Sequence, residues 1–193
     1  MSPNGSRIRW GPTISTSPTT GGRYIRLAYA DDLLGPWHIH PTGSLQIADS
    51  HFLTAPPEVA PERAAQLRAA PSNLGHDPFV EATTPHIASP DVHVDDQNRS
   101  IAMYFHGLEG VSRQHSRVAI SSDGIHFEAR SEPLGRTYMR ALHHDGYTYI
   151  ISMPGQFYRS RDPLGGFEEG PRLFNPEMRH AALLKRGETL FVS

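Results

Sequence analysis

From residue 85 onward the chain alternates apolar and polar side chains in short runs, each closed by a turn containing Gly, Asp or Pro. Alternation with a period of two is the pattern of a half-buried β-strand. The first run, Pro85-His-Ile-Ala-Ser-Pro-Asp-Val-His-Val-Asp95, leads to a second at 101–107 and a third at 117–121. The turn Ser122-Asp123-Gly124 then introduces a fourth run at 125–128. The same layout returns at 139–146, 147–153, 157–160 and 161–168, and starts again at 178–187 and 188–192. Equivalent glycines (Gly146, Gly187) and turn aspartates (Asp123, Asp162) stand about 40 residues apart. A unit of that length with four short strands predicts a blade of a β-propeller.

Before residue 85 the pattern is weaker. The run at 24–30, the turn at 31–36 and Trp37-His-Ile-His40 match the third strand, turn and fourth strand of the later units. The first two strands of that unit are expected to be short, degenerate or absent, because residues 1–22 are mostly Gly, Pro, Ser and Thr apart from Ile8-Arg9-Trp10. Residues 50–84 break the period. Within them 61–70 reads as a short helix with proline in its first turn, and Pro56, Pro57, Pro71 and Pro78 mark the rest as loop. Such an insertion serves either as a lid over a ligand or as a surface loop. The predicted organisation is one domain. It has a degenerate first blade at 1–49, the insertion at 50–84, blades at 85–135 and 136–177, and a partial blade at 178–193. The last run reads as the second strand of a unit, and a blade buries both faces only between neighbours. The propeller is therefore expected to be incomplete, lacking roughly one and a half blades or more beyond Ser193.

Composition narrows the function classes. With 17 Gly and 17 Pro, the chain suits many short strands and turns rather than helices. A net charge of −2 without a basic block argues against nucleic acid or an anionic membrane as partner. No apolar run approaches the ~20 residues of a membrane span. The opening Met1-Ser-Pro-Asn-Gly-Ser-Arg7 lacks the apolar core of a secretory leader, so a cytoplasmic location is expected. The sequence contains no cysteine, which removes disulfides, thiol catalysis and Cys-based zinc sites. Without a Gly-rich phosphate loop or a Gly-x-Ser-x-Gly elbow, nucleotide-dependent and serine-hydrolase chemistry lose support. No cofactor is expected, and no pattern sets the oligomeric state.

The inner strand of a blade lines the central channel, so residues at its start face the place where ligands bind. Asp91 begins such a strand and shares a face with His93. At the equivalent positions of the later units stand Ala141 and Ala182. A carboxylate present in one copy alone points to a site, and the competing reading is an Asp that caps the turn after Pro90. Asp32, Asp123 and Asp162 recur beside Gly or Pro and read as turn residues. Twelve histidines raise the question of a metal. His38-x-His40 puts two imidazoles on one strand face, but no third ligand has recognisable spacing, so no metal site is expected. His86, His93, His106 and His180 are channel candidates for acid–base work or for bonding sugar hydroxyls. Singly, each also fits a structural histidine. Arg140 and Arg179 stand near the starts of successive inner strands, where a guanidinium forks onto a carboxylate or is merely solvated. Tyr104, Tyr147, Tyr149, Phe191 and Trp37 read as packing between blades.

Two segments carry a family resemblance. Ser89-Pro-Asp-Val-His-Val-Asp95 followed by Ile101-Ala-Met-Tyr-Phe105 resembles the Ala-Pro-Asp-Val-His strand and following aromatic strand of family 43 glycoside hydrolases. Ala30-Asp-Asp-Leu-Leu-Gly-Pro-Trp37 resembles their turn ending in Gly-Pro-Trp. The resemblance extends to family 32, covers residues 24–49 and 85–193, and is closest to an uncharacterised bacterial branch. It implies an all-β, five-bladed β-propeller of which about three and a half blades are present. It also implies hydrolysis of glycosidic bonds in a plant or algal oligosaccharide. The alternatives are a sugar-binding propeller without turnover and a scaffold for another protein.

Family 43 enzymes use three carboxylates: a base from blade one, an orienting Asp from blade two and an acid Glu from blade three. Asp91 falls on the second. Residues 1–22 contain no Asp or Glu for the first, and the third falls where Arg136-Thr-Tyr-Met-Arg140 replaces the family's Glu-Gly-Pro. Glu177, one blade later, or His180 is the substitute proton donor. The resemblance makes Asp91, Glu177 and His180 the catalytic candidates, and His86, His93, His106, Arg140 and Arg179 the groups that hold substrate.

Overall fold

The computed structural model describes residues 7–12, 22–71 and 77–192. Residues 1–6, 13–21, 72–76 and 193 lie outside the described residues. The chain begins with strands β1 (Arg7–Pro12), β2 (Tyr24–Ala30), β3 (His38–Ile39) and β4 (Leu45–Gln46), followed by helices α1 (Pro61–Arg68) and α2 (Pro78–Thr83). Next come β5 (Ile87–Asp95), β6 (Ser100–Gly110), β7 (Arg113–Ser121) and β8 (Glu128–Ala129). A further set follows: β9 (Arg140–His144), β10 (Tyr147–Ser152), β11 (Gln156–Ser160) and β12 (Glu168–Arg172). The hairpin β13 (Leu183–Arg186) and β14 (Thr189–Val192) ends the described chain.

β5–β8 and β9–β12 are four-stranded sheets in simple chain order, with each strand antiparallel to the next. That meander is the blade of a β-propeller, and the fold is an all-β propeller. In the first sheet β2 is central, paired with β1 on one side and with β3 and β4 on the other. β1 matches β2 along its length, from Arg7 opposite Ala30 to Pro12 opposite Ile25. A full strand thus stands where the sequence pattern shows little more than Ile8-Arg9-Trp10. An edge strand needs only one bonded side and tolerates a terminal proline, so its alternation is weak.

The helix expected over 61–70 is α1. α2 was read as loop because of Pro78, yet Asp77 caps it by accepting the Phe79 N–H at 2.8 Å, and Pro78 occupies the first turn, where a missing N–H costs nothing. Asp-Pro was thus a helix start. The Arg68 guanidinium lies 4.1 Å over the Phe79 ring and ties the two helices together.

Packing follows from β6, whose residues alternate between two cores. Met103 and Phe105 point to one side and pack with Ile25, Leu45, Ile47, Phe52, Ile87, Ala119 and Phe127. Tyr104 points to the other and packs with Val118, Leu134, Met139, Ala141, Ile150 and Tyr158. The central blade is thereby wedged between its neighbours. Burying each of these side chains contributes about 1.5–3 kcal/mol. Tyr104 also donates from its hydroxyl to the Pro163 carbonyl at 2.7 Å, reaching across to the β9–β12 blade. The turn aspartates behave as turn chemistry. Oδ1 accepts from Leu34 N at Asp32, from Ile125 N and His126 N at Asp123, and from Leu164 N at Asp162. Two aromatic residues read as core are not. Trp37, in the connection before β3, is 37% exposed, and Phe191, on β14 of the two-stranded last sheet, is 51% exposed.

Candidate functional site

The strand register places the site. Ala88 pairs with His106 and Asp91 with Tyr104, so β5 spends three residues where β6 spends two. This is a β-bulge, and its residue Ser89 takes φ of 54°, a left-handed conformation unusual for a side-chain-bearing residue. Bulges re-aim the side chains beyond them. Here the effect is to turn Asp91 onto the neighbouring blade. Its Oδ2 accepts the backbone N–H of Ala141, at the start of β9, at 2.7 Å, and also accepts from His93 Nε2 at 2.9 Å. The turn-capping reading of Asp91 is thus replaced by a clasp between the inner strands of two blades. His93 lies edge-on to Tyr104 and to His143, with ring centroids 5.7 and 5.0 Å apart. Burial, and then the adjacent His93, lower the His143 pKa from its ordinary value.

The same alternation that sends Tyr104 toward the third sheet sends His106 there too. His106 is 2% exposed and its Nδ1 is buried with no hydrogen-bond partner. Around it the rings form a chain: His86 at 5.7 Å, Tyr138 at 4.6 Å, and His180 at 4.3 Å on the far side of Tyr138. Gly107 permits the close approach on the His86 side, since a Cβ there would meet the His86 carbonyl oxygen at 2.6 Å. Tyr138 sits at φ of 61°, which is costly for an aromatic residue. Arg179 donates from Nη2 to the Tyr138 hydroxyl at 3.2 Å, with its guanidinium 5.6 Å from the ring. Arg140 donates from Nη1 to the carbonyls of Met139 at 2.8 Å and Ser89 at 3.4 Å.

Electrostatics follow from this crowding. Burial above all, then His86, Arg140, His180 and Arg179, push the His106 pKa down to about 3, so its ring is neutral near pH 7. His180 is lowered in the same direction by burial against Tyr138 and by Arg179 and Arg140.

Seven of the eight sequence-derived candidates meet here. His106, His180 and Arg179 contact Tyr138, His86 packs on His106, Arg140 follows two residues after Tyr138, and Asp91 with His93 brace the strand on which Arg140 stands. Glu177 does not join them. It is exposed on the turn before Met178, with its backbone N–H donating to Asn175 Oδ1, and no ion pair ties it to the cluster among the described residues. Tyr138, at the centre, was not foreseen. It breaks no alternation and belongs to no motif, and its only sequence signal was its place beside Met139-Arg140 at the start of an inner strand. His38 and His40 lie apart, His38 against Tyr29 and His40 bonded to Thr42. Among the described residues no three His, Asp or Glu side chains gather as a metal site would require.

Known proteins place the fold. No family model matches the chain. It is 30% identical over 189 residues to "Uncharacterized protein R118" of Acanthamoeba polyphaga mimivirus, covering 89% of this chain and 47% of that one. The chain thus spans about half the length of the curated relative it matches. Among solved structures it is similar to an α-L-arabinofuranosidase of glycoside hydrolase family 43 from Clostridium thermocellum, with a TM-score of 0.54 at 17% identity over 89% of this chain and 53% of that one. A family 32 β-fructofuranosidase from Bombyx mori gives 0.55 at 13% identity, over 97% and 38%. A family 43 arabinoxylan arabinofuranohydrolase from Bacillus subtilis, in complex with cellotetraose, gives 0.50 at 20% identity, over 89% and 37%. The chain has the β-propeller fold of these glycoside hydrolases.

Proposed function

We propose that this protein binds an oligosaccharide at the inner-strand end of the propeller, over the rings around Tyr138. The observation that carries the reading is the chain of edge-on rings His86–His106–Tyr138–His180, with Tyr138 at a strained φ and Arg179 bonded to its hydroxyl. Aromatic faces accept the C–H faces of sugars, while adjoining N–H and O–H groups donate to sugar hydroxyls and the phenol oxygen and unprotonated ring nitrogens accept from them. The glycosidase-type fold and the oligosaccharide complex of a neighbour support a plant or algal saccharide. Asp91 acts through Ala141 and His93 as a positioning residue that fixes the second blade against the third. The experiment is calorimetric titration of the chain with xylo-, arabino- and uronate oligosaccharides. Tyr138→Ala is expected to weaken binding at least about tenfold, the size of a central anchor. Absence of binding by every saccharide would reject the reading.

Hydrolysis is the second reading, favoured by the exposed imidazole of His180 and by a carboxylate, Asp91, on the inner strand of a blade. Glycoside hydrolysis needs one group to protonate the leaving oxygen and another to activate water or attack, across about 5–10 Å. The roles would fall to Asp91 with Glu177 or His180. The binding reading is preferred because Asp91 Oδ2 is already engaged twice, and because the residues outside the described set contain no Asp or Glu. Turnover of an aryl-glycoside panel, abolished in Asp91→Asn, would reverse that order.

A further inference from the structure

The cluster around Tyr138 holds two guanidinium groups and, among the described residues, no carboxylate paired with either. Arg117 and Arg113 are paired with Glu109, and Arg159 with Glu168. Arg140 and Arg179 have no carboxylate within ion-pair distance among the described residues. They spend their donors on two carbonyls and a phenol. Both guanidinium charges reach His106, alongside His86 and His180, and no carboxylate counters them there. Asp91, which bonds the residue after Arg140, is occupied by the Ala141 N–H and His93. The Nδ1 of His106 is buried and unpartnered at the floor of this group. Arg179 and His180 are exposed on its open side, so a ligand has access. One guanidinium against the Tyr138 ring, and a second on the strand that follows Tyr138, form a receptor for an oxyanion attached to a ring.

Resting on the saccharide reading above, we infer that the ligand is an acidic saccharide, whose sugar carboxylate or sulfate ester is held by Arg179 and Arg140 while its ring lies over Tyr138. A neutral sugar leaves both charges uncompensated. An anionic one supplies the missing counter-charge, and its planar or tetrahedral oxygens suit a guanidinium fork.

The test compares ligands that differ only in charge. The 193-residue chain is titrated by calorimetry with an oligogalacturonide and with its fully methyl-esterified form, and with a sulfated galactan oligosaccharide and its desulfated form. At low salt the acid of at least one pair is expected to bind about tenfold or more tightly than its neutral partner, and the preference should shrink on raising salt. The pair showing the larger ratio tells carboxylate from sulfate. Arg179→Gln, whose side chain is exposed, should bring the acid-to-neutral affinity ratio down toward one. Arg140→Gln should do the same, with near-ultraviolet circular dichroism checking its fold. Equal affinity within both pairs would overturn the acidic-ligand inference and leave the saccharide reading standing. If no ligand bound, charged or neutral, both would fall. An acid preference that survives Arg179→Gln would overturn the assignment to this cluster.

Discussion

The two faces of β6 differ in the groups they bury, although they are built from consecutive residues. On one face Met103 and Phe105 enter a dry apolar core shared with β2 and β5. On the other Tyr104 and His106 bring polar atoms against a second apolar core, where a hydroxyl crosses to Pro163 and a ring nitrogen has no partner. Burial on the first face stabilises outright. On the second it costs stability unless each polar group is satisfied, and His106 is not. The lesson is that strand alternation assigns faces but not purposes. A face that holds an unsatisfied buried imidazole and a strained tyrosine is being maintained for something other than packing.

The largest test of this contrast removes the apolar anchor. Phe105→Ala, emptying a site that is 1% exposed, is expected to destabilise the fold by about 3–5 kcal/mol in denaturant unfolding. Any protein that stays folded should keep its saccharide affinity, because Phe105 faces away from Tyr138. A loss of affinity beyond the unfolded fraction would show that the two faces are not separable.

Next in size is acid. The His106 pKa in the folded protein is about 3, below the ordinary value of 6.5. The unfolded chain therefore binds the extra proton between those values. Stability contributed by this group is full above about pH 6.5 and is lost as pH falls toward 3. Lowering the pH from 7 to 4 should cost about 3 kcal/mol from His106. Thermal melts across that range should show the slope, and His106→Gln should flatten it. An unchanged slope in that variant would place the acid sensitivity elsewhere.

How much of this was legible beforehand varied from face to face for a physical reason. The blades were legible because the alternation in 101–107 and 147–153 and the Asp-containing turns recur, and repetition multiplies a weak local signal. β1 was not, because an edge strand carries half the packing demand. α2 was missed because Pro78 was weighed without Asp77, although together they form a cap. At the site, Arg140, Arg179, His86, His106 and His180 could be marked from their places near inner strands. Their meeting on Tyr138 could not, since it depends on the turn geometry at 136–138 and on a φ that no side-chain pattern announces. Nor did the sequence reveal that Asp91 would bond Ala141, because the bulge at Ser89 sets that direction.

The Asp91 clasp gives a smaller effect. Asp91→Ala leaves the N–H of Ala141, itself only 7% exposed, without its acceptor, at a cost of about 2 kcal/mol. Because the clasp braces β9 directly beside Arg140, the variant should also weaken saccharide binding. Asp91→Asn, which keeps an acceptor oxygen, should recover most of both. Recovery of stability without recovery of binding would instead give the carboxylate charge a direct part in the site.

The smallest effect comes from the hydroxyl that distinguishes Tyr104 from its apolar neighbours. Tyr104→Phe keeps the ring that fills the second core and deletes only the bond to the Pro163 carbonyl. The net contribution of such a bond is about 1 kcal/mol, and the carbonyl it leaves has a second lone pair for other partners. Burial of this phenol, with Asp91 and then Asp162 nearby, raises its pKa well above the ordinary value. The bond should therefore persist into alkaline solution, and the difference between Tyr104→Phe and the parent should not shrink between pH 7 and 9. A difference near zero would mean that the polar face of β6 holds its neighbouring blade by ring packing alone. The cost of its polar groups would then be concentrated in His106, at the ligand cluster, where the proposed function requires it.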